Sequence, residues 1–446
     1  MNYVTLKKIY EGLPYIFKAP FSGVLRNKLI KNKIFVEHFN TLQSADSWSD
    51  EKLTAEQFNR FKDTLIHAYE HTRYYRELFD ASNFDPYSVT SFTDIKKIPV
   101  LTKRILQERF SDLVADDAGE GYLVTTGGTS GEPTKVMMSN DAYYIEWAFV
   151  YDFWSKYGYD IKSSKLATFR GIKLGEKLYE INPMYREIRL NVFLMGKGNI
   201  DRYVKAMKNY GVDFIFGYPS AIYNFCKLTQ EAGIQMEGMF KSALLISENL
   251  YPFQEEKITE VLKCPIGMFY GHSERAVFAG RFDGGYSFNR LYGYTELSEK
   301  GEPIVTGFIN RKTPLIRYLV DDHVTRQGAA FAIEGHRDCE VLFGLDGEEI
   351  SAAAINFHDK TFDNILAYQF IQNEIGKCML CIVPNERFQI SDVAEIEKSV
   401  SGKFGHALEC KVKVVDKVQL TDRGKFKMIL QAPDLLEGIR KSSIVQ

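Results

Sequence analysis

The hydrophobic residues of this chain follow two periods, and each period predicts a different kind of element. Between residues 54 and 80 the apolar side chains Phe58, Phe61 and Leu65 lie three or four positions apart, which predicts one amphipathic helix. From Asn140 onward, aromatic residues repeat at a similar spacing and predict a second helix. Its aromatic positions are Tyr143, Trp147, Tyr151 and Trp154. Packing against a protein core explains such a stripe.

Residues 164–271 alternate between short apolar runs and longer helical patterns. The runs that resemble strands are 166–169, 188–195, 214–217, 244–247 and 266–270. The helical patterns are 200–210, 220–232 and 253–262. This alternation predicts an α/β fold in which a mostly parallel sheet is covered by helices on both faces. In such folds ligands bind at the carboxyl ends of the strands.

The pattern changes near residue 335 and becomes richer in strands. Predicted strands at 367–372, 378–383 and 411–415 surround a predicted helix at 392–400. We therefore expect a large N-terminal domain of residues 1–335 and a small C-terminal α+β domain of residues 336–446. Within the large domain, residues 1–53 form an N-terminal strap rich in basic and aromatic residues.

The first 33 residues of this strap are strongly basic. They contain seven cationic side chains and a single acid, Glu11. The cations are Lys7, Lys8, Lys18, Arg26, Lys28, Lys31 and Lys33, and they alternate with aromatic residues. The pattern predicts either a weak peripheral contact with an anionic membrane or a strap that packs on the main domain.

The composition narrows the class of partner. With 56 basic and 58 acidic residues in 446, the chain lacks the global positive field that recruits nucleic acid, so a small-molecule partner is expected. Six widely spaced cysteines do not suggest a disulfide framework and favour a reducing, cytoplasmic compartment. Cys378 and Cys381 have CxxC spacing but lie in an apolar run without a second pair. No run approaches the about 18 apolar residues of a membrane span, so we expect a soluble protein.

The segment Leu123–Lys135 concentrates glycine, serine and threonine directly after a short apolar run. Glycine lets backbone N–H groups converge on phosphate oxygens, and the hydroxyl groups add further donors. The candidate phosphate-binding residues are Thr125, Thr126, Gly127, Gly128, Thr129, Ser130 and Gly131. The Gly-Lys-Ser/Thr ending of a P-loop is missing, which excludes an ordinary P-loop NTPase. Taken alone, the segment also fits a flexible loop without a ligand.

Turn-forming or polar residues follow three further strand-like runs. They lie at 217–220, 247–248 and 270–274. Because parallel strands end at the same edge of a sheet, we expect these clusters and the glycine-rich loop to converge on one cleft.

Four segments occur in an order that resembles the adenylate-forming superfamily, specifically its phenylacetate-CoA ligase-like branch, which includes members from capsule gene clusters. The segments are Thr125–Pro133, Phe269–Glu274, Ile316–Asp322 and Thr421–Phe426. The resemblance runs from about residue 54 to about residue 430. It implies an AMP-forming carboxylate-CoA ligase that uses ATP, Mg²⁺ and coenzyme A, with a small-molecule carboxylic acid as substrate and no nucleic acid as partner.

The resemblance also implies roles for single residues of the large domain. The glycine-rich loop would hold the pyrophosphoryl end of ATP, and Tyr270, next to Gly271, would stack on adenine. Ser273 would reach the α-phosphate, Glu274 would hold Mg²⁺, and Asp322 would bind the ribose hydroxyls. Without the motif, Glu274 fits equally well an ion pair with Arg275 or Arg281.

In the small domain, Lys425 corresponds to the catalytic lysine and Asp338 to the hinge. A mobile small domain would deliver Lys425 to the cleft. The chain departs from the family at His336, where arginine is usual, and Arg337 is the candidate to replace it in binding the nucleotide.

The acyl pocket is the least determined part of the predicted site. Tyr218, Ile246 and His272 are its candidate residues, although a packing role for His272 is the alternative. Two other functions remain open. The acyl group could pass to an amine or a carrier protein, or the chain could be a nucleotide-binding pseudoenzyme.

Overall fold

The computed structural model describes most of the chain. It covers residues 3–13, 15–117, 119–126, 134–172, 174–248, 250, 252–282, 284–320, 322–334, 341–351, 355, 362, 364–384, 387–417, 419, 428–432 and 435. The α-helices are α1 (Tyr3–Gly12), α2 (Tyr15–Ile30), α3 (Lys33–Ala45), α4 (Asp50–His71), α5 (Arg73–Ala81), α6 (Lys103–Glu108), α7 (Phe110–Leu113), α8 (Asn140–Ser155), α9 (Ile200–Tyr210), α10 (Pro219–Glu231), α11 (Pro252–Leu262) and α12 (Ile390–Phe404).

The strands belong to one large sheet and several small ones. They are β1 (Gly121–Thr126), β2 (Thr134–Ser139), β3 (Leu166–Arg170), β4 (Tyr179–Asn182), β5 (Glu187–Asn191), β6 (Phe214–Gly217), β7 (Ser242–Ile246), β8 (Ile266–Gly271), β9 (Phe278–Phe282), β10 (Gly285–Phe288), β11 (Gly293–Leu297), β12 (Pro303–Gly307), β13 (Tyr318–Leu319), β14 (His323–Gln327), β15 (Ala330–Glu334), β16 (Val341–Phe343), β17 (Glu349–Ser351), β18 (Ile365–Glu374), β19 (Lys377–Pro384), β20 (Glu409–Val414) and β21 (Ile429–Gln431).

The large sheet has the order β14-β15-β10-β9-β8-β7-β6-β3-β5-β4. Its central strands, from β5 through β3, β6 and β7 to β8, are parallel to one another. Antiparallel strands flank this parallel group on both sides. The predicted α/β fold class, with parallel strands and covering helices, is confirmed.

Strand β6 shows why helices cover both faces of the large sheet. Its side chains alternate, so Phe214 and Phe216 belong to one core cluster and Ile215 to another. On the first face, the rings of Phe216 and Trp154 of α8 lie 4.9 Å apart. The second face packs against α9 and α10, where Phe225 is fully buried. Each buried aromatic side chain contributes roughly 1.5–3 kcal/mol, which makes these two layers the main source of stability.

The N-terminal residues form helices that pack on the large sheet's helical layer. Phe35 of α3 is buried, and its ring meets Tyr151 of α8 edge-on at 6.0 Å. Lys18 of α2 is also buried and forms a 3.0 Å ion pair with Glu180 of β4. One face of the basic strap is therefore part of the protein body.

The predicted single helix over residues 54–80 is two helices. Helix α4 ends and α5 begins at Thr72, whose backbone is extended (φ −126°, ψ 137°). The Thr72 hydroxyl donates to the carbonyl of Ala68 and accepts from the amide of Tyr75. Threonine thus closes one helix and caps the next, an effect that apolar spacing does not reveal.

The C-terminal part is a small α+β unit, as expected. Its sheet has the order β20-β19-β18-β21, and α12 packs on it through Ile396, Val400 and Phe404. Cys378 and Cys381 are buried free thiols of β19. The predicted boundary between residues 335 and 336 lies outside the described residues and stays a prediction.

Candidate active site

The exits of β6, β7 and β8 lie side by side because these strands are parallel neighbours. Gly217 ends β6 with φ 152°, and a Cβ there would lie 2.0 Å from the carbonyl oxygen of Phe169. Only glycine fits such a close approach of two backbones. The amide of Ser220 donates to Glu248 Oε2 at 3.1 Å and so links the exits of β6 and β7.

A hydrogen-bonded trio of side chains follows β8. The hydroxyl of Tyr270 donates to Asp322 Oδ2 at 2.5 Å. His272 Nε2 is hydrogen-bonded to the same hydroxyl and lies 3.4 Å from Asp322 Oδ2. The rings of Tyr270 and His272 meet edge-on at 4.8 Å. Residues 52 positions apart in the sequence are thus brought into direct contact.

The proton on the Tyr270 hydroxyl holds these three side chains in this arrangement. Burial, followed by the charge of Asp322 and the hydrogen bond to it, raises the pKa of Tyr270 well above 10.0. Tyr270 therefore remains a hydrogen-bond donor across the physiological range. The Asp322 carboxylate accepts that hydrogen bond. Its two oxygens can also accept hydrogen bonds from the two hydroxyl groups of a ribose.

Glu274 lies on the same turn as His272. The two alternative partners weighed from the sequence are engaged elsewhere: Arg275 donates to the hydroxyl of Tyr122 at 2.7 Å, and Arg281 forms a bidentate pair with Glu255. Within the described part of the chain, Glu274 has no ion-pair partner. An unpaired carboxylate is a suitable oxygen ligand for Mg²⁺.

Sequence reasoning missed a network behind this turn. Arg275, with φ 54°, directs its guanidinium toward Tyr122 and into the field of Glu146. Tyr292 donates to Glu146. Burial raises the pKa of Glu146, although the charge of Arg275 and the bond from Tyr292 oppose that shift. The network fixes the turn that carries Glu274, and its only sequence signal was an arginine directly after the motif.

The strands that flank the glycine-rich loop form an antiparallel hairpin. Thr125 pairs with Lys135, and Thr126 pairs with Thr134. Asn310 anchors the second strand, since its side chain accepts from the amide of Ser139 and donates to the carbonyl of Met137. Val124 and Tyr270 pack in one cluster, so the hairpin borders the turn after β8. Gly127, Gly128, Thr129, Ser130 and Gly131 lie outside the described residues.

The segment that carries Asp322 is anchored by its arginine. Arg317, with φ 50°, pairs with Glu296 through contacts of 3.0 and 3.1 Å. The amide of Arg317 donates to Thr306, and the amide of Ile316 donates to the buried hydroxyl of Tyr75. Arg317 therefore positions the backbone that leads to Asp322.

The candidates for the acyl pocket occupy different surroundings. Ile246 is buried in the aromatic cluster on the α8 face, beside Phe269 in the register of β7 and β8. Tyr218 packs with residues of the C-terminal unit and lines a small cleft together with Ser220 and Ile350. His272 is itself a member of the trio at the exit of β8.

Gly271 and Ser273 lie on the exposed side of that same turn. The remaining candidates, Arg337, Asp338 and Lys425, fall outside the described residues, as does His336. None of the helices within the described ranges is long and apolar enough to cross a lipid bilayer.

Comparisons with known proteins show which proteins the chain is similar to. Residues 342–432 match the model of the CapK C-terminal domain. The chain is 20% identical to Protein CapK of Staphylococcus aureus over 95% of its own length and 99% of that protein. Over 97 residues, covering 21% of the chain and 22% of the relative, it is 34% identical to the phenylacetate-coenzyme A ligase of Escherichia coli (strain K12).

Among solved structures, the fold is similar to that of 2-hydroxyisobutyryl-CoA ligase. One structure, in the postadenylation state with an acyl-AMP, matches with TM-score 0.52 and 16% identity over 90% of this chain and 94% of that one. Another, with 2-HIB-AMP and CoA, has the same TM-score of 0.52. The chain is therefore similar to Protein CapK over nearly its whole length and to a phenylacetate-coenzyme A ligase over 97 residues, and its fold resembles that of an acyl-CoA ligase.

Proposed function

We propose that this protein activates a carboxylic acid with ATP, forms an acyl-AMP and releases pyrophosphate, and then transfers the acyl group to coenzyme A. The observation that carries the proposal is the contact between Tyr270 and Asp322 beside Glu274, which has no ion-pair partner among the described residues. The names of the relatives support it, since they include phenylacetate-coenzyme A ligases and a 2-hydroxyisobutyryl-CoA ligase bound to acyl-AMP and CoA.

The proposed reaction has two displacements. First, a carboxylate oxygen attacks the α-phosphorus of ATP, and the bond to the bridging oxygen of the pyrophosphate breaks. Second, the sulfur of coenzyme A attacks the acyl carbon, AMP leaves with the bonding electrons, and the thiol proton passes to solvent or a base. Both steps concentrate negative charge on phosphate oxygens, so cations and N–H donors are the main catalytic requirement.

We assign the donors and cations as follows. Residues 125–131 would hold the departing pyrophosphate, and Ser273 would contact the α-phosphate. Glu274 would ligate Mg²⁺, whose charge would stabilise the phosphate oxygens. Lys425 would supply the second cation after the small domain turns about Asp338, and Arg337 would assist in binding the nucleotide.

Adenine would stack on Tyr270 beside Gly271, and the acyl group would lie near His272. Tyr218 and Ile246 remain proposed pocket residues, although each of them packs in a different cluster from His272. His272 is held by Tyr270 and Asp322, which favours a role in shaping the pocket over one as a freely moving base.

A stepwise assay tests this proposal. Pyrophosphate release is followed over a panel of aryl, fatty, hydroxy and amino acids, with and without coenzyme A, an amine or a carrier protein. We expect acid-dependent release that coenzyme A accelerates, and an acyl-CoA product in the mass spectrum. Lys425→Ala should lower acyl-AMP formation by orders of magnitude while ATP affinity changes much less. Equal turnover by this variant would refute the assigned role.

Two alternatives give different results in the same assay. Acceleration by an amine or a carrier protein, and not by coenzyme A, indicates another acyl acceptor. ATP binding without pyrophosphate release for any acid indicates a pseudoenzyme, an idea that His336 motivates. A role in surface-polysaccharide synthesis rests on the relationship to CapK and is part of the proposal.

We also propose that the outer face of α2 rests on an anionic membrane. Phe17, Phe21 and Val24 are 56%, 55% and 65% exposed, and they lie on one face together with the exposed Lys28. Apolar side chains beside a cation match the chemistry of an anionic lipid surface. The opposite face, with Lys18 and Leu25, is buried against the protein and leaves this face outward.

Sedimentation with lipid vesicles tests the membrane contact. The wild type should pellet with vesicles that contain phosphatidylserine, and less so at high salt. Phe17→Ser combined with Phe21→Ser should abolish pelleting, whereas Ile390→Ser, which changes an apolar side chain that is 91% exposed elsewhere, should not. Equal pelleting by all three proteins would contradict a specific contact through α2.

A further inference from the structure

Two histidines and an aspartate, none of them assigned to the proposed nucleotide site, meet at the end of α4. His67 and His71 lie one turn apart on α4, and Asp117 lies in the segment that leads to β1. His67 Nδ1 is 3.7 Å and His71 Nε2 is 3.2 Å from Asp117 Oδ2. One donor atom from each residue lies within 4.8 Å of the other two. The amide of Asp116 donates to the carbonyl of His71 and holds the segment in place.

The hydrogen bonds of His67 determine its tautomer. Its Nε2 lies 2.9 Å from the carbonyl oxygen of Arg311, and a carbonyl can only accept, so Nε2 carries the proton. In the neutral ring the lone pair is therefore on Nδ1, which is buried and has no hydrogen-bond partner among the described residues. The residue is only 3% exposed. A buried imidazole nitrogen with a free lone pair requires an explanation.

In His71 the other ring nitrogen, Nδ1, carries the hydrogen bond that orients the ring. Its Nδ1 lies 3.0 Å from Asp116 Oδ1 and donates to that carboxylate. In the neutral ring the lone pair of Nε2 then faces the Asp117 carboxylate at 3.2 Å. Two such electron-rich atoms repel each other unless a proton or a cation lies between them.

We propose that His67, His71 and Asp117 bind a Zn²⁺ ion. Zinc bonds of about 2.0–2.2 Å place tetrahedral donor atoms about 3.4 Å apart, close to the 3.7 and 3.2 Å that separate the two histidine nitrogens from Asp117 Oδ2. Neutral imidazole and carboxylate are suitable zinc ligands, and Arg311 and Asp116 are the outer hydrogen-bond partners that orient such histidines. Glu70 Oε2, 3.8 Å from His71 Nε2, or a water completes the set.

The position of the ion gives it a structural role. It ties the C-terminal end of α4 to the segment 112–117, which continues into β1 and the glycine-rich loop. Bound zinc stabilises the folded state because the three ligands are together only there. The proposal is independent of the ligase activity, and its test needs neither ATP nor an acid substrate.

Calorimetric titration of metal-free, tag-free protein with Zn²⁺ tests the site, with Co²⁺ as a spectroscopic substitute. The wild type should bind one equivalent, unfold at a higher temperature with zinc, and give visible absorption with Co²⁺ in a tetrahedral field. Asp117→Asn and His71→Gln should each weaken binding by more than about 100-fold, since loss of a direct ligand exceeds the 10- to 100-fold cost of losing an outer partner.

Controls separate this site from adventitious binding. His406→Gln removes an exposed histidine of the C-terminal unit and should leave zinc binding unchanged. Asp117 is partly exposed, so its variant should fold, which circular dichroism verifies. The proposal is overturned if the wild type binds no stoichiometric zinc, or if Asp117→Asn and His71→Gln bind it as tightly as His406→Gln.

Discussion

Replacement of Asp322 by asparagine is the sharpest perturbation of the proposed nucleotide site. The substitution keeps the size of the side chain and removes its charge. In the free protein the carboxylate already accepts a 2.5 Å hydrogen bond from Tyr270. Binding of ATP would add bonds from the ribose hydroxyls and loosen or replace that one. The net gain is therefore smaller than the sum of the new bonds.

The expected change in the Kd for ATP follows from this exchange of hydrogen bonds at Asp322. A hydrogen bond to a charged group contributes about 1.5–3 kcal/mol, and two ribose bonds gained for one tyrosine bond lost leave a net of about one such bond. Asp322→Asn should therefore raise the Kd for ATP about 10- to 150-fold. The ratio of the Kd for 2′-deoxy-ATP to the Kd for ATP should fall as well, because the carboxylate that is lost is the proposed acceptor for the 2′-hydroxyl.

Calorimetry with ATP and 2′-deoxy-ATP measures both quantities. Asp201→Asn, which removes an exposed carboxylate at the start of α9, is the matched control and should bind like the wild type. The reasoning fails if the wild type binds the two nucleotides equally well. It also fails if Asp322→Asn discriminates between them as strongly as Asp201→Asn does.

Substitutions at Tyr270, Glu187 and Gly217 give three further tests. Tyr270→Phe keeps the ring and should change the Kd for ATP less than about threefold, whereas Tyr270→Ala should cost about 1–3 kcal/mol in a binding titration. Burial raises the pKa of Glu187, but the charge of Arg189 and hydrogen bonds outweigh it and hold the pKa below 4.5. The ionised Glu187 carboxylate therefore stabilises the folded state above its unfolded pKa, and this contribution is lost as the pH falls through its folded-state pKa. In denaturant titrations, the difference in the free energy of unfolding between the wild type and Glu187→Gln should therefore shrink below about pH 4.5. Gly217→Ala should prevent folding or cost at least about 3 kcal/mol, because its Cβ meets a backbone oxygen, while Gly158→Ala in open space should cost about 1 kcal/mol in the same titration; equal costs would contradict the close approach.

Much of the central architecture was predictable because it depends on local periodicity. The apolar runs at 214–217 and 244–247 are strands β6 and β7, and the aromatic stripe after Asn140 is α8. The break at Thr72 was not predictable from spacing, because one hydroxyl satisfies both helix ends there.

The site was predictable only in part, for a related reason. The order of the motifs identified Tyr270, His272 and Asp322 as candidates in two separate segments of the sequence. The structure shows that their side chains are in direct contact. The network of Arg275, Tyr122 and Glu146 could not be predicted, since it joins side chains from distant elements whose contacts follow from tertiary packing. The contact of His67 with Asp117 is of the same kind.

The central claim is that this site adenylates a carboxylate, and exchange of radiolabelled pyrophosphate into ATP tests it most directly. Exchange requires reversible acyl-AMP formation and no acyl acceptor, so it isolates the first chemical step. The account predicts exchange that depends on an acid from the panel and is lost in Lys425→Ala. ATP binding without exchange for any acid, or equal exchange in Lys425→Ala, would contradict it.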